Sequence, residues 1–237
     1  MLIIDDGYKT WEKGEREMEK RVLVTGFEPF GGETVNPALE VVEALAGRVL
    51  DVDGSDPVQI VAARIPTVFG ASIDVLEKEI ERISPFVVLC VGQAGGRHHI
   101  TPERVAINVD DARIPDNAGN APVDAPVVPG GPVGYLSDLP IKRMVRAMQD
   151  VGIPSSVSNS AGTFVCNHLF YGLMHLLKTK YTRVRGGFIH IPFLPSQVVG
   201  RELPSMNLTD MVRGLEVCVR VAVEHTLDLP LSGGKEC

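Results

Sequence analysis

Cations are in short supply in this sequence. Its 23 Lys and Arg face 30 Asp and Glu, a formal net charge of −7 with a pI near 5.4. That balance argues against a general nucleic-acid binder, whose phosphate affinity rests on clustered Lys and Arg. Long apolar runs are missing too, so no segment has the length to span a membrane. The opening MLIIDDGYKTWEKGEREMEK carries acidic and basic residues where a secretory peptide needs an apolar stretch. Cysteine is sparse. Cys90, Cys166, Cys218 and Cys237 lie far apart and form no C-x-x-C pair, which leaves neither a zinc ribbon nor a thioredoxin-type site to read. Disulfides are not required, and the expectation is a cytoplasmic protein with reduced thiols and a small-molecule or peptide partner.

What is present fits one globular unit. At 237 residues, 44% hydrophobic and 22% charged, the chain can bury a sizeable single core. Residues 1–17 stand apart as a polar, charge-mixed stretch with the only Trp, and a second Met, Met18, directly precedes a convincing strand. They are either an ordered extension or dispensable, with translation starting at Met18. The second reading is preferred, leaving 18–237 as a single domain.

From Arg21 onward short β-branched runs alternate with amphipathic stretches. RVLVTG (21–26), QIVAARIP (59–66), FVVLCVG (86–92), SSVSNSAG (155–162) and GGFIHIP (186–192) read as strands, each closed by Gly or Pro. Helices are expected over 36–47, where Asn36 is a candidate N-cap and Pro37 takes the first helical position, and over 71–83, 140–150, 166–178 and 209–225. This alternation predicts an α/β fold, a three-layer α/β/α sandwich around a mostly parallel central sheet. Residues 93–135 break the pattern. They are dense in Gly, Pro, Asn and Asp, too long for a plain connection, and include a small strand candidate, RVAINV.

Ligands of open α/β sheets bind beyond the carboxyl ends of the strands. After the first strand, GFEPFGG has neither phosphate-loop spacing, and Phe27, Pro29 and Phe30 would crowd a phosphate. It is a rigid aromatic turn or an apolar wall for a flat ligand. Cys166 falls in the first turn of the helix that carries Leu169, Leu173 and Leu177, where unpaired N–H groups and the helix dipole favour thiolate. Cys90 and Cys218 sit inside apolar runs and read as core.

A cysteine nucleophile needs a base, and the base an orienting group. His168 points about 200 degrees around the helix from Cys166, His98 and His99 sit in the polar loop, and His225 ends the last helix. His190 is held in a strand near its C-terminal end and stopped by Pro192. Glu103 is a candidate acid in the loop, with a surface pair to Arg104 as the alternative.

Four segments in order, VLVTGFEPFGGETVNPALE, CVGQAGGRHHITPERVAINVDDARIPDNAGN, AGTFVCNHLFYGLMH and RGGFIHIPFLPSQ, closely resemble the type I pyroglutamyl peptidases, from about Met18 to Pro204. The resemblance implies an α/β/α sandwich and a cysteine peptidase that removes N-terminal pyroglutamate from peptides through a thioester. It implies Cys166 as nucleophile, His190 as base and Glu103 as orienting carboxylate. It also implies Phe27, Phe30 and Phe164 as pocket walls, with Asn36 and Gln93 as polar lining. The oxyanion would be met by the Cys166 N–H and Arg113. No metal or other cofactor is expected, and a homotetramer is implied by the resemblance alone. A nucleoside phosphorylase or hydrolase on a similar sandwich is the alternative, although the first loop offers Phe and Pro where phosphate needs basic or hydroxyl donors.

Overall fold

A computed structural model describes residues 20–53 and 56–234. The expectations for residues 1–17, for Met18 and for Cys237 lie outside them. A six-stranded sheet has the order β2-β3-β1-β4-β8-β5. Its members are β1 (Lys20–Phe27), β2 (Val49–Leu50), β3 (Val58–Ile65), β4 (Val87–Gln93), β5 (Thr101–Pro102) and β8 (Arg185–Ile191). The four inner strands run parallel, while β2 and β5 are short antiparallel edges. A separate ribbon pairs β6 (Val105–Ile107) with β7 (Gly134–Leu136). Both lie in or at the end of the long polar segment, where small extra strands were expected.

Helices cover both faces. On one side α1 (Pro37–Leu45), α3 (Ile141–Asp150) and α5 (Leu208–Glu224) enclose a core with Val22, Val24, Leu89, Val91 and Ile189. On the other, α2 (Ala71–Ile83) and α4 (Val165–Thr179) pack over Leu23, Val88, Cys90 and Phe188. Successive strand residues point to opposite faces, so Cys90 and Phe188 aim at α4 while Leu89 and Ile189 aim at α5. Asn36 caps α1 as its sequence pattern predicts: its Oδ1 accepts from the Ala38 N–H at 3.0 Å, with Pro37 next in the chain.

One strand expectation is corrected. Residues 155–162 join no ladder and make only two isolated bridges, Ser155 with Ile100 and Ser158 with Glu103. Ser155 and Val157 are buried, but the run is tied to its neighbour by few backbone bonds, Ser156 N–H to Ile100 O, Ser158 N–H to Pro102 O and Arg104 N–H to Ser158 O. It instead passes as an extended segment beside β5.

Chain order turns at the β1/β4 boundary. From β1 the chain passes through α1 to β3 on one side, and α2 then carries it back over β1 to β4. The crevice beyond the carboxyl ends of these strands is the switch point at which such sheets bind ligands.

Candidate active site

A cleft of about 690 Å³ opens at that end, lined among others by Phe30, Gln93, Arg97, Arg113, Phe164, Cys166 and His190. Cys166 occupies the first turn of α4, whose start is fixed by packing rather than by a cap. Phe164 precedes the helix with no side-chain capping bond. Leu169, Phe170, Leu173, Met174 and Leu177 are buried on the sheet, each stabilising by roughly 1.5–3 kcal/mol. Together they outweigh the ~1 kcal/mol that a cap would add. The first intrahelical bond is His168 N–H to Phe164 O, so the N–H of Cys166 has no partner within the helix and can meet an anion.

Room for the thiol comes from the sheet below. Gly92 on β4 is in register with His190 on β8, and a Cβ at Gly92 would lie 3.0 Å from the Cys166 Sγ and 2.8 Å from the Phe188 ring. Only glycine lets the nucleophile sit this close to the strand that flanks its histidine.

His190 is buried, with Nδ1 2.7 Å from Glu103 Oε1. Nδ1–H therefore donates to the carboxylate, and Nε2 keeps its lone pair for a proton from the cleft. Glu103 is 0% exposed and does not pair with Arg104, which bonds instead to the Gly233 carbonyl. Its cationic partner is Arg97, whose Nη1 donates to the same Oε1 at 2.7 Å and to Thr101 Oγ1 at 2.6 Å, while Nη2 donates to Ser160 O at 3.0 Å. Burial pushes the Glu103 carboxyl up, but the hydrogen bond from His190 and the Arg97 guanidinium together hold it below the usual value. Burial lowers His190, with Glu103 opposing, so the resting imidazole is neutral.

The cysteine departs from the sequence expectation. Burial pushes its thiol up to about 12, the Glu103 carboxylate adds to the rise, and Arg97 opposes it. Desolvation thus outweighs the helix start. Both shifts favour a thiol and an uncharged imidazole before attack, with the proton moving as the thiol attacks.

Four of the expected pocket residues, Phe30, Gln93, Arg113 and Phe164, line the cleft, while Phe27 and Asn36 stand behind it. Phe27 is buried with its ring 6.3 Å from Phe188, and the Asn36 amide is taken up by the Ala38 N–H and the Glu28 carbonyl. Arg113 is exposed, and its guanidinium makes no hydrogen bond or ion pair to the described residues, which leaves it available to a ligand.

Sequence reasoning set His168 aside as a base and gave Asn167 no role. Asn167 ties α4 to β6: its Oδ1 accepts from Ile107 N–H, and its Nδ2 donates to Ile107 O and Val109 O. His168 Nδ1 meets Asp110 Oδ2 at 2.7 Å, while its Nε2 accepts from Gly70 N–H at 2.8 Å. Its ring also stands edge-on to Phe69 at 5.3 Å, and Phe69 edge-on to Phe164 at 5.5 Å, which braces the cleft wall from behind. A polar pair in the first turns of α4, ahead of its leucine stripe, was the available signal. Arg97 carried none beyond its place in the polar loop.

Among the described residues no group of three or more His, Cys, Asp and Glu is placed to hold a metal ion. No helix among them is long and apolar enough to cross a membrane.

An α/β/α sandwich with a cysteine and a carboxylate-bound histidine at its switch point defines the cysteine-type hydrolases as the class. Residues 20–225 match the family model described as pyroglutamyl peptidase, and the chain belongs to that family. Pyrrolidone-carboxylate peptidase from Bacillus licheniformis is 54% identical over 217 residues, 92% of this chain and 99% of that protein. The homologue from Brevibacillus brevis is 53% identical over 91% of this chain and 99% of its own. The crystal structure of pyroglutamyl peptidase I from Bacillus amyloliquefaciens superposes with a TM-score of 0.86 at 49% identity, covering 91% of this chain and 100% of that one. A mutant pyrrolidone carboxyl peptidase from Pyrococcus furiosus gives 0.82 at 41% identity, covering 87% and 100%. No support for the nucleoside phosphorylase alternative comes from these relatives.

Proposed function

We propose that this protein hydrolyses the amide bond after an N-terminal pyroglutamyl residue of peptides. The observation that carries the reading is a neutral His190, bonded through Nδ1 to a buried carboxylate, in a cleft it shares with Cys166 and two aromatic rings. The substrate ring is a lactam without an α-ammonium, so it suits an apolar wall of Phe30 and Phe164.

His190 Nε2 takes the Cys166 proton as Sγ attacks the carbonyl, forming the S–C bond. The Cys166 N–H and Arg113 receive the oxyanion. Collapse breaks the C–N bond, and Nε2–H protonates the leaving amine. Water then attacks the thioester with His190 again as base, the S–C bond breaks, and Cys166 regains its proton. Glu103 holds the Nδ1–H tautomer and balances the imidazolium. Arg97 keeps Glu103 ionised.

Pyroglutamyl p-nitroanilide is the test substrate, with glutamyl and glutaminyl p-nitroanilides beside it. Turnover is expected on the lactam alone, because Phe30 and Phe164 would desolvate a free ammonium, and Asp111 is the carboxylate of the cleft lining that such an ammonium would have to reach. Comparable rates on the free amines would refute the pocket assignment.

We also infer a catalytic domain over 18–237 with 1–17 dispensable, a cytoplasmic location and a homotetramer, with no nucleic-acid or membrane partner. The family match over 20–225 supports the first of these. The acidic charge of −7 supports the absence of a nucleic-acid partner. Sedimentation of the full chain tests the tetramer.

A further inference from the structure

Gln93, the last residue of β4, lines the cleft, and its amide could present either a donor or an acceptor. The neighbour that decides is Gln197, only 8% exposed, in the short 3-10 helix Pro195–Val198. Gln197 Oε1 accepts from Leu194 N–H at 2.9 Å, while its Nε2 faces Val35 O at 3.5 Å and Gln93 Oε1 at 2.9 Å. Leu194 N–H can only donate and Val35 C=O can only accept. Turning the Gln197 amide over would set nitrogen against N–H and oxygen against C=O, so its orientation is set by backbone groups whose polarity cannot change. Gln93 Oε1 is consequently occupied as an acceptor. Its Nε2, with no partner among the described residues, is the group left for the cleft.

We infer that Gln197 is a positioning residue that locks Gln93 as a hydrogen-bond donor, so that the cleft selects a ring bearing a neutral acceptor, the lactam carbonyl of pyroglutamate. The inference rests on the proposed activity and names a specificity device of that same site. A site built to donate to a carbonyl discriminates strongly against a ring that lacks one, because its own donor is then buried unpaired.

Two variants separate the relay from a structural role. In Gln197→Glu the carboxylate still accepts from Leu194 N–H, but its other oxygen demands a donor from Gln93. The Gln93 amide then turns and aims its oxygen at the lactam oxygen. In Gln197→Met the Leu194 N–H loses its acceptor, yet Gln93 is free to donate either way. The readouts are kcat/KM on pyroglutamyl p-nitroanilide and the concentration of 2-pyrrolidone, the bare lactam ring, that halves alkylation of Cys166 by iodoacetamide.

At pH 8 the half-protecting concentration is expected to rise more than about tenfold in Gln197→Glu, ~1.4 kcal/mol, and less in Gln197→Met, with KM rising in the same order. Protection of Gln197→Glu should recover as pH falls, because a protonated carboxyl can again donate to Gln93. Equal protection in all three proteins, or weaker protection in Gln197→Met than in Gln197→Glu, overturns the relay. Failure of the wild type to cleave the pyroglutamyl substrate sinks the activity reading and this inference with it. Cleavage by the wild type with protection indifferent to Gln197 sinks the relay alone.

Discussion

Glu103→Gln isolates what the buried carboxylate contributes. The wild-type Glu103 Oε1 lies 2.7 Å from His190 Nδ1, so the imidazolium formed during attack develops its charge against an anion. Two unit charges about 4 Å apart attract by roughly 4 kcal/mol at an effective dielectric near 20. Arg97, also 2.7 Å from that oxygen, cancels part of the field, which brings the expected loss to about 1.4–3 kcal/mol of barrier. Stopped assays with pyroglutamyl p-nitroanilide should show kcat lowered on the order of ten- to a hundredfold, with KM changed less. The acid limb of kcat/KM, which reports protonation of the base, should also move. Glu103 raises His190 against the effect of burial. Without Glu103, burial and Arg97 both act downwards and the limb shifts to lower pH. A stability effect follows the same pair: the Glu103 carboxyl is held low in the fold, so its contribution is full above the unfolded value near about 4.3 and is lost as pH falls through the folded value. Unchanged kcat with an unmoved acid limb would refute the coupling of Glu103 to catalysis.

Cys166→Ala and Cys166→Ser should reduce hydrolysis to background with the circular dichroism spectrum retained, since neither side chain supplies a thiolate to the forming bond; substantial residual turnover would remove Cys166 as nucleophile. Arg97→Met should lower kcat yet move the acid limb to higher pH, opposite to Glu103→Gln, because Arg97 opposes the charge on His190; a shift in the same direction as Glu103→Gln would contradict the assigned roles. Gly92→Ala places a methyl 3.0 Å from the Cys166 Sγ and 2.8 Å from Phe188. Iodoacetamide alkylation of Cys166 and kcat should both change, with a melting temperature lowered by overpacking of about 1–3 kcal/mol; wild-type values for all three would show that the sheet tolerates a side chain there.

Much of the fold was written in local pattern. The helix opening at Pro37 needs only Asn36, whose side chain reaches the N–H two residues on, and such short-range chemistry is legible in a string of letters. The same holds for the near-continuous buried runs of β1, β4 and β8, closed by Gly or Pro, and for Cys166 ahead of a leucine stripe. Residues 155–162 were misread because an extended run with buried Ser155 and Val157 looks the same in sequence whether it forms a full ladder or only isolated bridges to Ile100 and Glu103.

The sequence by itself therefore determined the layer order, the helix starts and the place of Cys166 in a helix's first turn, because each depends on residues within a few positions of one another. For Glu103 it left a surface pair with Arg104 as open as a role beside His190, until family resemblance chose between them. Tertiary structure alone decided the partnerships. Glu103 and His190 are 87 residues apart, Gln93 and Gln197 are 104, and Gly70 and His168 are 98. Contacts at such range depend on which strand ends the crossovers bring together. It also decided the upward push on the Cys166 thiol, since desolvation comes from the surrounding packed cleft, whereas the helix start that favours the anion can be read from a single turn.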